Sequence, residues 1–166
     1  MEKILSIEDL ENAENKTLYC TFDENIEGID CVTPIHAELC AESLGEFIQI
    51  TGHVTGVVNL ECDLCLEKFE YNLDFDIDEL FSKGSLLGDY EESGQEFEIK
   101  DGQFVTDLNG EKEIDIYDLL YQSVILNYPN KKVCGINCKG KDFLSEENIP
   151  DPRLDVFKNI QINPKD

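Results

Sequence analysis

The sequence is poor in basic residues and has no long apolar run. It carries 13 lysines and arginines against 37 aspartates and glutamates, a formal net charge of −24. Such a chain repels nucleic-acid phosphates and anionic lipid headgroups at long range, so we expect its partners to be basic. No stretch approaches the roughly 18 apolar residues of a membrane span, and no membrane association is predicted.

Signals for export and catalysis are also missing. The amino-terminal stretch MEKILSIEDLENAENK lacks the basic region, apolar core and cleavage site of a signal peptide. We therefore expect a cytoplasmic protein whose seven cysteines are thiols rather than disulfides. Because no phosphate loop, nucleophile elbow or paired-carboxylate motif is present, the sequence predicts neither an enzyme nor a small-molecule substrate.

Alternating side chains predict an antiparallel meander of three strands. Apolar and polar residues alternate with a period of two in residues 31–41, 47–60 and 69–77. Gly52 and Gly56, inside the second strand, are expected to mark a bend or a bulge. Shorter elements are expected around the meander: an edge strand or helix in 4–10, a strand in 17–22 and a hairpin from 96–99 and 103–106.

One main helix is predicted after the meander. Asp115 suits an N-cap, and an apolar face follows it, formed by Ile116, Leu119, Leu120, Val124 and Ile125. Asp151-Pro152 predicts the start of a short carboxyl-terminal helix.

Together these patterns predict an α+β fold. We expect a partly barrel-like antiparallel β meander with one main helix, a short carboxyl-terminal helix and a cysteine knuckle. Residues 1–166 are expected to form a single domain. Within it, residues 82–95 are rich in Gly, Ser and acids and predict a mobile acidic loop, and residues 161–166 predict a polar tail.

The stretch LECDLCLEKF, residues 60–69, places Cys62 and Cys65 between two predicted strands. A CxxC turn supplies two sulfur ligands to a zinc ion, which prefers four ligands in a tetrahedron. Cys134 and Cys138, in VCGINCKGK, form the second candidate pair. Their neighbours Gly135 and Gly140 would give the backbone freedom to wrap the metal. The spacing therefore predicts a zinc site made of these four cysteines.

Two other interpretations of Cys62 and Cys65 stay open at this point. They could be small buried side chains at the end of a hairpin. They could also serve a thiol oxidoreductase, although redox CxxC motifs usually sit at the start of a helix.

The remaining cysteines and the two histidines have no paired spacing. We interpret the cysteines as packing residues and the histidines as exposed strand residues. They are Cys20, Cys31, Cys40, His36 and His53.

The sequence resembles the YceD family, the large ribosomal RNA subunit accumulation proteins. The resemblance covers about residues 30–160 and rests on GHVTGVVNLECDLCLEKFEYNLDFDIDELF, IDIYDLLYQSVILNYP, CGINCKG and IPDPRL. Cys62 and Cys65 match the family's CxRCL knuckle, with Leu64 in place of arginine. Cys138-Lys139-Gly140 match its CKGLC segment, although Lys141-Asp142 replaces the final leucine and cysteine. The resemblance implies a cytoplasmic, non-enzymatic, metal-binding protein that supports accumulation or processing of large-subunit ribosomal RNA.

The charge distribution then suggests where partners bind. Residues 131–141 hold four lysines and no acid, whereas residues 74–98 hold nine acids and one lysine. We expect any ribosomal RNA contact at the lysines and a basic ribosomal protein on the acidic strand faces. Another hypothesis is an acidic interaction module that binds only the basic ribosomal protein. The predicted RNA-binding residues are Lys131, Lys132, Lys139 and Lys141.

Overall fold

The structure, a computed structural model, describes residues 3–84 and 105–140. Two helices, a 3-10 turn and seven strands lie in these residues. In chain order they are β1 (Ile4–Ser6), α1 (Ile7–Asn12), the 3-10 turn (Glu14–Lys16), β2 (Thr17–Glu24), β3 (Ile35–Leu44), β4 (Phe47–Glu61), β5 (Lys68–Ser82), β6 (Val105–Asp107), β7 (Glu113–Asp115) and α2 (Ile116–Leu126).

A five-stranded sheet dominates the described residues, in the order β2-β3-β4-β5-β6. The first four strands are antiparallel neighbours, which confirms the predicted meander, and β6 joins β5 in parallel. A second, two-stranded sheet pairs β1 with β7. The expected barrel-like closure is corrected: the described strands form an open sheet with β2 and β6 at its edges, and no closed barrel.

One face of the meander forms the core. In β4, Ile48, Ile50, Val54 and Val58 are fully buried, as the alternation predicts. They share one apolar cluster with the buried face of α2. Burying each such side chain contributes roughly 1.5–3 kcal/mol, so the sheet is stabilised by its own apolar packing.

The two strand glycines do not mark a bulge in the pairing of β4 with β5, whose register is continuous over the whole of β4. The register of β4 against β3 is continuous from Phe47 to Thr55, which includes Gly52. A Cβ at Gly52 would lie 2.4 Å from the Glu38 carbonyl oxygen and 2.5 Å from Leu39 Cδ2. A Cβ at Gly56 would lie 2.7 Å from Ile35 Cδ1. Both glycines therefore allow side chains of β3 to cross closely over β4.

The main helix begins as predicted. The Asp115 carboxylate accepts a hydrogen bond from the Asp118 N–H at 3.0 Å, which caps the helix. The predicted apolar face is wrong at Ile125, which is 40% exposed, and Ser123 is buried in its place. Ser123 tolerates burial because its hydroxyl donates to the Leu119 carbonyl at 2.8 Å.

The remaining predictions fall partly outside the described residues. Residues 4–10 form both predicted alternatives, a short strand and then a helix, and residues 17–22 lie in β2. Ser82 ends β5 and is buried, so the predicted acidic loop cannot begin there. Residues 85–95, the first arm of the hairpin, the helix after Asp151 and the tail 161–166 lie outside the described residues. The single domain stays a prediction.

No helix in the part of the chain that the structure describes is long and apolar enough to cross a membrane.

Candidate metal centre

The tight turn between β4 and β5 presents the first cysteine pair. The strands pair up to Glu61 and Lys68, and the turn closes with a hydrogen bond from the Cys62 N–H to the Glu67 carbonyl at 3.0 Å. The Leu66 N–H donates to the Cys62 carbonyl at 2.9 Å, and Leu66 has a positive φ of 63°. This backbone conformation folds Cys65 back towards Cys62, so both sulfurs point to one side.

The segment after α2 brings the second pair to the same turn. The Asp63 N–H donates to the Lys132 carbonyl at 2.8 Å, and the Lys132 N–H donates to the Asp63 carboxylate at 2.8 Å. The Cys138 N–H donates to the Gly135 carbonyl at 3.1 Å, which closes a turn between the cysteines. Sequence reasoning missed Asp63, whose only signal is its place between two cysteines.

The four sulfur atoms form a compact cluster. Cys62 Sγ lies 3.7 Å from Cys138 Sγ, and Cys65 Sγ lies 3.7 Å from Cys134 Sγ. All four ligand atoms lie within 4.8 Å of one another. A tetrahedral zinc ion with Zn–S bonds of about 2.3 Å would separate its sulfurs by about 3.8 Å. The four cysteines can therefore bind one metal ion, and their separations are far too long for disulfide bonds.

Backbone amides around the cluster favour thiolates. The Cys65 N–H is the main cause that lowers the pKa of Cys62 to about 6, and the Cys134 N–H, at 3.4 Å from Cys62 Sγ, adds to it. By contrast, the neighbouring side chains of Cys138 and Cys65 raise the pKa of Cys134 to about 12. Four thiolates this close repel one another, so they can all be ionised together only around a cation.

The burial of the cluster is uneven. Cys62 is fully buried, Cys65 and Cys138 are half-buried, and Cys134 is exposed. The interpretation of buried packing residues thus fits Cys62 alone. The redox interpretation is weakened because the CxxC motif lies between two strands instead of at the start of a helix.

The glycines beside the second pair have different roles. Gly140 has a positive φ of 73° and lies against the backbone of Leu64, where a Cβ would be 3.3 Å from the carbonyl oxygen. The expectation of backbone freedom is confirmed for this residue. Gly135 has no positive φ and open space around it, so its local conformation does not require glycine.

Three of the four predicted RNA-binding lysines lie beside the metal centre. Lys131 and Lys139 are exposed, and Lys132 is half-buried with its Nζ 5.8 Å from the centre of the Tyr128 ring. Lys141 lies outside the described residues.

The other cysteines lie apart from the metal centre and behave as packing residues. Cys20 and Cys31 contact the apolar core, and Cys40 is half-buried in β3. Burial raises the pKa of the Cys20 thiol.

Both histidines are exposed strand residues, as predicted, with half of each side chain accessible. His53 Nδ1 lies 2.7 Å from Asp76 and its Nε2 lies 3.3 Å from Asp74. The hydrogen bond with Asp76, together with the neighbouring acids, raises the pKa of His53.

The fold and this cluster define a β-rich α+β protein with a four-cysteine centre able to hold a metal ion. Residues 50–161 match the family described as large ribosomal RNA subunit accumulation protein YceD. Because the match spans more than half of the chain, the protein belongs to the YceD family. The matched residues include both cysteine pairs and α2. No curated protein and no solved structure matches the chain.

Proposed function

We propose that the protein is a non-enzymatic, zinc-binding ribosome-assembly factor of the cytoplasm. In this role it supports accumulation or processing of large-subunit ribosomal RNA. The family description supports the ribosomal role. The observation that carries the zinc proposal is the pair of 3.7 Å contacts between sulfurs from two separate segments, Cys62 with Cys138 and Cys65 with Cys134.

The proposed metal is structural. Four protein sulfurs would complete the coordination of zinc and leave no open position for a reacting water. The metal would fix residues 131–140 on the β4-β5 turn, where Asp63 already holds the backbone of Lys132 at 2.8 Å. Residues outside the ligand set would then depend on zinc for their position.

The lysines of residues 131–141 are proposed to contact RNA. Zinc with four thiolates carries two net negative charges, and the four lysines of this stretch outnumber them. Since at most about four phosphates would be neutralised, binding should be weak, with a log-log salt slope no steeper than about −4.

Metal analysis of the full chain, purified without added metal, tests the zinc proposal. We expect about one zinc per chain, because a structural four-thiolate site does not lose its metal during purification. Less than about 0.2 zinc per chain would contradict the proposal. Rapid alkylation of Cys65 in the untreated protein would instead favour the thiol oxidoreductase, since a zinc-bound thiolate reacts only after a chelator is added.

Substitution of the four lysines by alanine tests the RNA proposal. The quadruple variant should lose binding to a large-subunit RNA fragment and the corresponding salt dependence. A matched control replaces four lysines elsewhere, Lys3, Lys16, Lys100 and Lys112, and changes the net charge equally. Equal RNA binding by the quadruple variant and the parent protein would show that these lysines do not form the RNA surface.

A further inference from the structure

A cleft lies far from the metal centre, between the end of β5, the β6 and β7 strands, and α2. It has a volume of about 460 Å³, within the range of about 300–1,000 Å³ that is usual for ligand pockets. From Lys68 beside the metal centre to Glu79 in the cleft, β5 runs for roughly 35 Å. The cleft is therefore a second surface, separate from the cysteines and the lysines.

The inner wall of the cleft is apolar. Phe81, Leu108 and Ile114 line it and are almost fully buried, and Leu119 lines it from the helix. Leu126, the last residue of α2, lies at its edge and is 80% exposed. This arrangement offers an incoming apolar side chain a preformed contact surface, with Leu126 free to cover it.

The rim of the cleft is acidic. No lysine, arginine or histidine occurs among the described residues that line it. Carboxylates of β5, β6, β7, the turn between β6 and β7 and the first turn of α2 line the cleft. A cationic occupant would thus be attracted to it. The acidic lining residues are Glu79, Asp107, Glu111, Glu113, Asp115 and Asp118.

Net charge also distinguishes between the possible occupants of the cleft. A second copy of the chain would bring another −24 net charge towards an acidic rim, and RNA phosphates would be repelled in the same way. The chain's own residues 141–166 carry four basic and six acidic side chains, a net charge of −2. A basic segment of another protein complements the rim better than any of these.

We propose that this cleft binds a basic, amphipathic segment of a partner protein. An apolar side chain of the segment would pack on the inner wall between Phe81 and Leu126, and its cations would lie at the acidic rim. This proposal rests on the lining of the cleft and requires no metal. The partner could then be the basic ribosomal protein expected from the charge distribution, and that assignment alone rests on the proposed function.

The apolar contact is tested with the full-length, metal-loaded protein and a fluorescent peptide of about 15 residues, made of lysine and serine with two leucines. The parent chain should bind this peptide at about 0.15 M salt and bind a leucine-to-serine peptide about tenfold less tightly. Leu126→Ser should weaken binding of the first peptide by a similar factor without harming the fold, because Leu126 is 80% exposed. Equal binding of both peptides would overturn the proposal.

The rim is tested with two variants of equal net charge. Glu79→Gln, Glu111→Gln and Glu113→Gln together remove three of the six carboxylates of the rim. The control neutralises three exposed acids of the sheet face, Glu38, Glu42 and Glu70. The rim variant should bind the peptide about tenfold more weakly and the control within about twofold of the parent.

Two results would refute the binding site. Equal weakening by both triple variants would show attraction by net charge alone. Absence of binding to the parent chain would show that the cleft does not bind a basic, amphipathic segment. Neither result depends on the zinc content or on RNA binding by the quadruple lysine variant. Failure of the cleft proposal and failure of the proposed function are therefore distinguishable.

Discussion

The meander and the segment after α2 are held in place by different forces. Strands β3, β4 and β5 bury one continuous apolar face, with Ile35, Ile50 and Val54 fully inaccessible. Residues 131–140 contain no regular element, and Ile136 is fully exposed. Their attachments include hydrogen bonds with the backbone and carboxylate of Asp63 and the contacts of the sulfur cluster.

This difference indicates which part of the protein would depend on the proposed metal. Apolar burial stabilises the sheet without cysteine, since each buried Leu, Ile or Val contributes roughly 1.5–3 kcal/mol. Residues 131–140 bury too little apolar surface to offset the entropy of ordering them, which is about 1–2 kcal/mol per residue for the backbone. Metal binding can supply that deficit, because coordination energy becomes folding energy for the segment that carries the ligands.

The strongest test of this comparison removes the most buried of the four proposed ligands. Cys62→Ser should reduce zinc from about one per chain to below about 0.2 and release residues 131–140 from the β4-β5 turn. Hydrogen exchange at the amides of Asp63 and Cys138 should become fast, while the β3-β4 amides remain protected. Cys40→Ser, a half-buried cysteine outside the cluster, is the control and should keep its metal. Collapse of the whole sheet in Cys62→Ser would contradict the proposed independence of the two regions.

The converse test damages the sheet and spares the metal centre. In Gly52→Ala, the new Cβ would lie 2.4 Å from the backbone oxygen of Glu38, which cannot move without disturbing the strand pairing. We expect a loss of about 2 kcal/mol or more in the free energy of unfolding, measured in denaturant, with zinc content unchanged.

Gly84→Ala is the matched control, because a Cβ there meets no atom within 4 Å and the backbone has no positive φ. Its free energy of unfolding should change by less than about 0.5 kcal/mol. Equal effects of the two substitutions would mean that Leu39 and its strand adjust easily over β4.

Much of this architecture follows from sequence patterns with a physical period. Alternation in residues 47–60 and 69–77 predicts the long strands because one sheet face must be buried. Asp115 predicts the helix start because its carboxylate satisfies a free backbone N–H. The four cysteines are grouped from the type and number of ligands that zinc prefers, and their sulfurs lie within 4.8 Å of one another.

The features that could not be predicted from the sequence have no periodic pattern of side chains. Strand β7 has three residues, too few to show alternation, and is not predicted. Strand β6 overlaps the predicted strand 103–106, but its parallel pairing with β5 is not predicted. A strand glycine alone does not distinguish a bulge from a close crossing, which depends on the neighbouring Leu39. The acidic cleft draws its lining from β5, β6, β7 and α2, and no local motif joins them.

The smallest predicted effect concerns an ionic contact that fastens α1 to the sheet. Lys83 Nζ contacts the Glu11 carboxylate, donates to Ser43 Oγ at 2.7 Å and donates to the Gly45 carbonyl at 2.6 Å. The Lys83 side chain is only 20% exposed and Ser43 is buried, so loss of the carboxylate leaves partly desolvated groups without their charged partner. Glu11→Gln should therefore lower the free energy of unfolding by about 1 kcal/mol.

The dependence of this effect on pH separates it from a simple packing change. The hydrogen bond from Lys83, followed by those from Ser43 and Lys16, lowers the pKa of Glu11 from 4.5 to about 2. A lowered native pKa means that the unfolded chain binds the proton more readily, so the contribution is complete above about pH 4.5 and is lost as pH falls towards 2. The free energy of unfolding, measured from pH 6 down to pH 2, should fall less steeply with decreasing pH in Glu11→Gln than in the parent.

The control is Glu70→Gln, which changes an exposed acid near the other end of β5. Its free energy of unfolding should depend on pH as that of the parent does. If the two variants gave the same dependence on pH, the charged contact with Lys83 would contribute nothing to stability.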